Sequence, residues 1–393
     1  MRVLFSSTFG YGHMFPMFPL ARAFLAAGHD VVWASSADAC DRLRAAGLSA
    51  APAGLAGQNL TRSVSALQAR TAAVPPQERA AFIYPRLFGQ TLTPPMVADL
   101  LPLARRWKPD LLIHEHGELA APLVGAVLQV PSVTHSFGGG IPPDILNDAG
   151  ARLASLWAEH DQSLPPYAGC FASGYLDICP PSVQSVSLDH VPAKQKLRPV
   201  ADTGGASGAL PHYLRDDGRP LVYVTLGTVQ NRLPLLAPAV TALAQLPVRI
   251  LVTVGPDGDP GALGEQPGHV HVERWVDQPR VLQHCDVVVS HAGSGTFLGA
   301  LAAGLPQLCL PQAADQFRNS AGARRAGVAL VLTPDESTPE RIASMVQALL
   351  TDGTVRERAR DVAEEIDAMP SPGEVVDSLE ATFGAHGSRP VTS

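Results

Sequence analysis

The sequence predicts an α/β protein made of two doubly wound parallel sheets, and three observations predict it. Short valine- and leucine-rich runs alternate with amphipathic helical patterns in both halves of the 393-residue chain. Those runs are apolar on consecutive residues, as strands covered on both faces are, and not on every second residue. Near the middle, one stretch carries turn residues and little periodicity, as a linker does. A chain of this length suits two domains, each able to bury its own core.

In order, Arg2–Ser6 reads as a strand that leads into the turn Gly10-Tyr11-Gly12-His13-Met14-Phe15-Pro16. The helix after it places Met17, Leu20, Ala21, Phe24 and Leu25 on one face, at i, i+3, i+4, i+7 and i+8. Asp30–Ala34, Asp110–His114 and Pro131–His135 are the further strands of the first half. Pro180–Arg219, with Pro-Pro, Gly-Gly and Asp-Asp-Gly, is the linker candidate. Leu221–Leu226, Arg249–Val254, His269–Arg274, Asp286–Ser290 and Leu308–Leu310 are the strands of the second half. Arg356–Phe383 is helical in pattern and breaks at Pro370-Ser371-Pro372. The expected domains are 1–200 and 218–370, with 371–393 as a separate C-terminal segment. Ligands of such sheets sit beyond the carboxyl ends of the strands, so two facing domains would form one cleft.

Composition narrows the function. A formal net charge of -7 without a long basic run argues against a nucleic-acid partner. Cys40, Cys170, Cys179, Cys285 and Cys309 show no CxxC spacing, which argues against a disulfide or metal framework and fits a reducing cytoplasm. The opening Arg2-Val3-Leu4-Phe5-Ser6-Ser7 lacks a leader pattern and no 18-residue apolar span follows, against secretion or a transmembrane segment.

The segment Trp275–Gln316 concentrates the chemistry. Asp286–Ser290 is a buried strand, and a helix from about Ser294 to Gly304 follows, with Pro306 beyond its stop. The turn between them aims unpaired N–H groups and the positive end of the helix dipole beyond the sheet edge. Gly293 and Gly295 permit close approach of an anion, while Ser294, Thr296 and His291 add side-chain donors. No Lys or Arg stands between His291 and Leu310, so a diphosphate here is held by dipoles. Trp275 offers a flat aromatic face for a base, and Asp315-Gln316 a pair able to read sugar hydroxyls. Taken singly these residues fit core, turn and solvated loop; together they point to a nucleotide-sugar.

The spacing of Trp275-Val276-Asp277-Gln278, His291-Ala292-Gly293-Ser294-Gly295-Thr296 and Asp315-Gln316 resembles the donor signature of nucleotide-sugar-dependent glycosyltransferases of the GT-B architecture, two Rossmann-like domains facing across a cleft. Asp277 stands where the plant members carry Pro, and the Trp275–His291 interval is slightly shorter, as in the bacterial branch. The resemblance covers essentially the whole chain and is strongest over Leu221–Leu332. It implies that the last helix crosses back to the first domain near Pro370. It also implies that Gly12-His13-Met14-Phe15-Pro16 carries the family's general base, His13. The acidic partner that orients that base is implied at Glu115, where plant members have Asp, with Glu118 as second choice.

The implied reaction is an inverting, metal-independent O-glycosyl transfer, with the nucleotide-diphosphate sugar as substrate and no cofactor. Gly12, Thr228, Trp275, Val276, Gln278, His291, Gly293, Ser294, Gly295, Thr296, Asp315 and Gln316 are the donor-side residues. Phe82, Phe88, Phe137 and Trp157, from the loops at about 55–95 and 136–171, are candidates for an apolar acceptor wall. Overall similarity to the bacterial natural-product branch implies a hydrophobic aglycone, polyketides and related antibiotics among them, and a thymidine- or uridine-diphosphate (deoxy)sugar. C-glycosylation of an aromatic polyketide, a catalytically silent nucleotide-sugar-binding partner and a homodimer stay open.

Three other motifs do not carry. Gly10-x-Gly12 lacks the third glycine of a dinucleotide fingerprint, since Phe15 stands there, and Ala34-Ser35-Ser36 lacks the ribose-binding acid. His114 and His116 lack a third convergent ligand. Asp257-Gly258-Asp259 sits in a Gly-Pro-Asp-Gly-Asp-Pro-Gly run that reads as a turn.

Overall fold

The computed structural model describes every residue except 72, 201–210, 215–216, 228–235, 257 and 385–393. Thirteen strands form two sheets among the described residues. The first holds β1 (Arg2–Ser6), β2 (Asp30–Ser35), β3 (Ser49–Pro52), β4 (Leu111–Glu115), β5 (Ser132–His135), β6 (Tyr175–Asp177) and β7 (Lys194–Lys196). The second holds β8 (Leu221–Thr225), β9 (Arg249–Thr253), β10 (Val270–Glu273), β11 (Val287–Ser290), β12 (Gln307–Cys309) and β13 (Ala329–Val331). Every pairing is parallel. The orders are β3-β2-β1-β4-β5-β6-β7 and β10-β9-β8-β11-β12-β13.

Both sheets are therefore doubly wound: the chain moves outward in one direction from β1 or β8, then returns and proceeds the other way from β4 or β11. Central strands β4, β8, β9 and β11 are buried at every position, which accounts for their unbroken apolar runs. Leu4, Leu112, Val124 and Leu100 lie in one core; Val222, Ile250, Val289 and Ile342 lie in another.

The chain divides into two compact units. One comprises Met1–Cys179, Val186–Arg198 and the residues from Met369 onward; the other comprises Pro180–Ser185 and Pro199–Ala368. The proline-containing break after the helix Gly353–Asp367 starts a new helix, Pro372–Phe383, closed by a capping box in which Ser371 and Glu374 exchange hydrogen bonds of 2.8 and 3.3 Å. That helix packs on the helix Phe18–Ala26 within the first unit.

Four strands have no counterpart in the sequence reading: β3, β6, β7 and β13. Each has only three or four residues. β7 lies inside the stretch read as linker and is polar, Lys-Gln-Lys; it is held because Lys196 Nζ donates to the buried Asp177 carboxylate at 2.6 Å. The linker reading is corrected to that extent. No helix among the described residues is long and apolar enough to cross a membrane.

In the second unit the helix Gln316–Ala326 lies so close to the segment Pro181–Val183 that a Cβ on Gly322 would collide with the Val183 carbonyl oxygen. Gly322→Ala should therefore lower stability by about 1–3 kcal/mol, read as a drop of several degrees in Tm; an unchanged melt would show that the helix shifts freely.

Candidate active site

β1 and β4 flank the switch point of the first sheet, and their register sets Ser6 level with His114. The residues just beyond, Thr8 and Glu115, are thereby brought together. Glu115 is fully buried, and its Oε1 lies 3.1 Å from His13 Nδ1. Thr8 donates to the same oxygen from its N–H (3.2 Å) and its hydroxyl (2.8 Å), and the Gly117 N–H donates to Oε2. Burial alone would push this carboxyl up. The His13 imidazole and the hydrogen bonds from His13, Gly117 and Thr8 outweigh it and hold Glu115 at about 2. The glutamate thus spans the distance to the imidazole.

Glu118 has a different task. It accepts from Ser6 Oγ at 2.6 Å, Ala120 N–H at 2.7 Å and Ala121 N–H at 3.2 Å, at the start of the helix Ala120–Leu128. Burial, aided by the charge of Glu115, pushes its carboxyl up to about 7 against those hydrogen bonds. It lines a concavity of about 330 Å³ together with Thr8, Leu55, Thr93, Met96 and Gly117.

The His13 ring packs against Phe137 (centroids 4.6 Å apart) and Phe88 (5.3 Å). Phe88 belongs to a π-helical stretch, Pro85–Leu92, and the Thr93 hydroxyl just beyond it donates to the Phe88 carbonyl at 2.6 Å. Phe82 is half-buried, under the Arg86 guanidinium at 4.0 Å. Trp157 is a correction. It is 1% exposed, inside the first unit's core with Leu153 and Ala168, so this side chain supports the fold and does not wall an acceptor.

The first unit's buried histidines are also structural in their contacts. His114 bonds the Glu118 carbonyl through Nδ1 (2.7 Å) and Thr134 Oγ1 through Nε2 (2.9 Å), and burial pulls its pKa down to about 4. His116 packs edge-on to Phe171 and Tyr175. No three ligating side chains converge on a metal-sized point among the described residues.

In the second unit the same switch-point geometry recurs between β8 and β11. β11 ends at Ser290, the chain turns through Ala292 at φ 61°, and the helix Ser294–Ala302 begins. Its first helical bond, Phe297 N–H to Gly293 O (2.9 Å), lies after the N–H groups of Ser294, Gly295 and Thr296, and no side chain caps it. Those N–H groups are left without an intrahelical partner or a capping side chain, the arrangement by which a helix start can receive an anion. The His291 ring lies between two glycines: a Cβ on Gly227 would stand 2.5 Å from Cε1, and one on Gly293 would strike Nε2. Burial lowers the His291 pKa, opposed by Asp315, so the ring is neutral near pH 7 and offers one N–H.

Trp275 is 54% exposed, an unusual position for a large aromatic and a suitable one for a stacking platform. Val276 and Gln278 are placed otherwise than read. Val276 is 7% exposed and packs with Leu214 and Tyr223, so it reaches a ligand only through its backbone. Gln278 donates through Nε2 to Thr296 Oγ1 (3.0 Å) and Tyr223 Oη (3.3 Å), supporting the helix start. Asp315 accepts from Ser294 Oγ at 2.5 Å. Gln316 uses Oε1 to accept the Gln312 and Ala313 N–H groups (2.8 and 3.0 Å), which fastens the loop before it. Thr228 lies outside the described residues, as does Asp257; Asp259 caps a turn by accepting from the Gly261 N–H at 2.9 Å.

Residues 22–227 match the N-terminal domain model of the erythromycin biosynthesis protein CIII-like family, and residues 238–382 match its C-terminal domain model. The chain belongs to this family. This CIII-like protein is a natural-product glycosyltransferase of the GT-B fold. It is 34% identical to the elloramycin glycosyltransferase ElmGT of Streptomyces olivaceus, over 98% of both chains. Among solved structures it is similar to the glycosyltransferase SnogD from Streptomyces nogalater, with 30% identity, a TM-score of 0.76, and 98% and 99% of the two chains covered. It is also similar to the glycosyltransferase VinC in complex with dTDP, with 25% identity, a TM-score of 0.81, and 98% and 100% covered.

Two contributors to the CIII-like site were missed by the sequence reading. Thr8 is visible only once β1 and β4 are paired. Asn319 is four residues after Asp315 and so shares its helix face, a signal the sequence does contain.

Two expectations follow. The folded-state pKa of Glu118 lies above the ordinary 4.5, so its contribution to stability is complete below about pH 4.5 and is lost as pH rises through about 7. Buried neutral histidines such as His114 act in the opposite sense, losing stability as pH falls from 6.5 toward 4. Glu118→Gln should remove the first effect only. Wild type and variant should diverge by on the order of 1–3 kcal/mol between acid and neutral pH in denaturant titrations, and parallel pH profiles would contradict the burial argument. Gly293→Ala should displace the His291 ring and weaken diphosphate binding at least several-fold in calorimetry; wild-type affinity would remove His291 from the cradle.

Proposed function

We propose that this glycosyltransferase moves a sugar from a thymidine-diphosphate donor to a hydroxyl of a hydrophobic aglycone with inversion at the anomeric carbon. The observation that carries the reading is the contact of His13 Nδ1 with the buried, ionised Glu115 at 3.1 Å. An anionic partner on one ring nitrogen fixes the tautomer, leaves Nε2 as the base and stabilises the imidazolium that forms. His13 then takes the acceptor proton as the oxygen attacks, and the bond from the anomeric carbon to the diphosphate oxygen breaks on the opposite side. Negative charge developing on the leaving diphosphate is received by the N–H groups of Ser294, Gly295 and Thr296, by the Thr296 hydroxyl and by His291. The scheme calls for no metal ion.

The assignment of the nucleotide draws support from the similarity to VinC, solved in complex with dTDP, and from the exposed indole of Trp275, which we assign to the base. Asp315 is assigned to the sugar hydroxyls. Phe88 and Phe137, which flank His13, are assigned to the acceptor side together with Phe82, and Gly12 is assigned to the donor.

His13→Ala should reduce kcat by about 10²–10⁴-fold while leaving thymidine-diphosphate affinity within a few-fold of wild type. Product analysis by mass spectrometry and NMR should show inversion and indifference to a chelator. Full turnover by the variant would remove His13 as base; absence of transfer from any donor to any of a broad panel of aglycones would favour a binding role instead.

A further inference from the structure

We propose that Asn319 is a positioning residue that fixes Asp315 for sugar recognition and ties it to the turn of the phosphate cradle. Asn319 sits on the helix Gln316–Ala326 and is 5% exposed. Its amide nitrogen lies 2.9 Å from the Ala292 carbonyl, 3.1 Å from Asp315 Oδ2 and 3.2 Å from Ser294 Oγ. A primary amide has two hydrogens, so the two shorter contacts can be made together, and the serine hydroxyl is free to direct its own hydrogen to Asp315.

Each end of this arrangement has a distinct use. Ala292 is a non-glycine residue in the left-handed region, a conformation that costs about 1 kcal/mol or more and persists only where neighbours hold it. Ser290 Oγ receives the Ala292 N–H at 3.0 Å and Asn319 takes the carbonyl, so the kink that aims the helix N–H groups is pinned on both sides. At the other end Asn319 and Ser294 both bind Oδ2 of Asp315. The carboxylate is thereby fixed through one oxygen, and Oδ1 is the atom assigned to a sugar hydroxyl. A single buried amide sets the position of the diphosphate donors relative to the sugar acceptor of hydrogen bonds, and a pyranosyl diphosphate must match that spacing.

The inference rests on the reading of Asp315 as a sugar contact, and a double-mutant cycle separates the two. Calorimetric affinities for thymidine diphosphate and for thymidine-diphosphate glucose are measured on wild type, Asp315→Ala, Asn319→Ala and the double variant. Asn319→Ala should reduce the preference for the sugar nucleotide over the bare diphosphate by about 10-fold, comparable to Asp315→Ala, and the double variant should lose no more than Asp315→Ala alone. Additive losses, or an unchanged preference in Asn319→Ala, would overturn the positioning role while leaving the functional reading in place. Failure of the wild type to bind either nucleotide would overturn both. Asn319→Asp, which keeps the shape and removes the N–H donors, is the companion variant should the alanine protein not fold; it should show the same loss of preference, and a wild-type preference would count against the proposal.

Discussion

Parallel pairing without alternation is the constraint from which the rest of the structure follows. A strand buried on both faces cannot carry polar chemistry along its length, so reactive groups are confined to where the strands end. Among the described residues, the two points where the winding reverses, β1 beside β4 and β8 beside β11, are where neighbouring strands send their chains apart at the carboxyl edge. His13 and Glu115 issue from the first, and Gly227 and His291 from the second. The same topological position holds the His13–Glu115 pair in one unit and, in the other, the uncapped helix start at Ser294 beside His291.

Within the first unit, two carboxyls three residues apart are driven in opposite directions. Glu115 meets an imidazole and donors on both oxygens and is held anionic; Glu118 meets only neutral donors and lies near the charge of Glu115, and is pushed toward neutrality. Burial is the same for both. What separates them is the His13 imidazole together with the hydrogen bonds from Thr8 and Gly117, which only Glu115 receives.

The fold was legible because its central strands are apolar at consecutive positions and its helices repeat at 3.6. The short strands were not: Ser49–Pro52 is alanine-rich and ends in proline, and Lys194–Lys196 is polar throughout, because a short edge strand is specified by backbone pairing and a few side-chain anchors more than by its own burial pattern. Of the candidate site, the pairing of His13 with Glu115 and the placing of His291 between Gly227 and Gly293 are what the structure adds to residues that the sequence marks by their motifs. Trp157 was misread because an aromatic residue between two loops gives the same signal whether it faces a ligand or a core. Gln278 and Gln316 were misread in their immediate contacts for a related reason: an amide near a binding loop serves the loop's own N–H groups and hydroxyls as readily as it serves a ligand.

Trp275 has an optical consequence. The chain has 4 tryptophans. Trp33 and Trp157 are shut away from water and Trp107 is partly covered, so the indole most open to solvent is the one assigned to the base. Stacking a pyrimidine on that ring changes the surroundings of one emitter among four while the buried pair stays constant. On that assignment the donor site carries its own spectroscopic label, and its occupancy would be followed by light in the unmodified protein without any acceptor present.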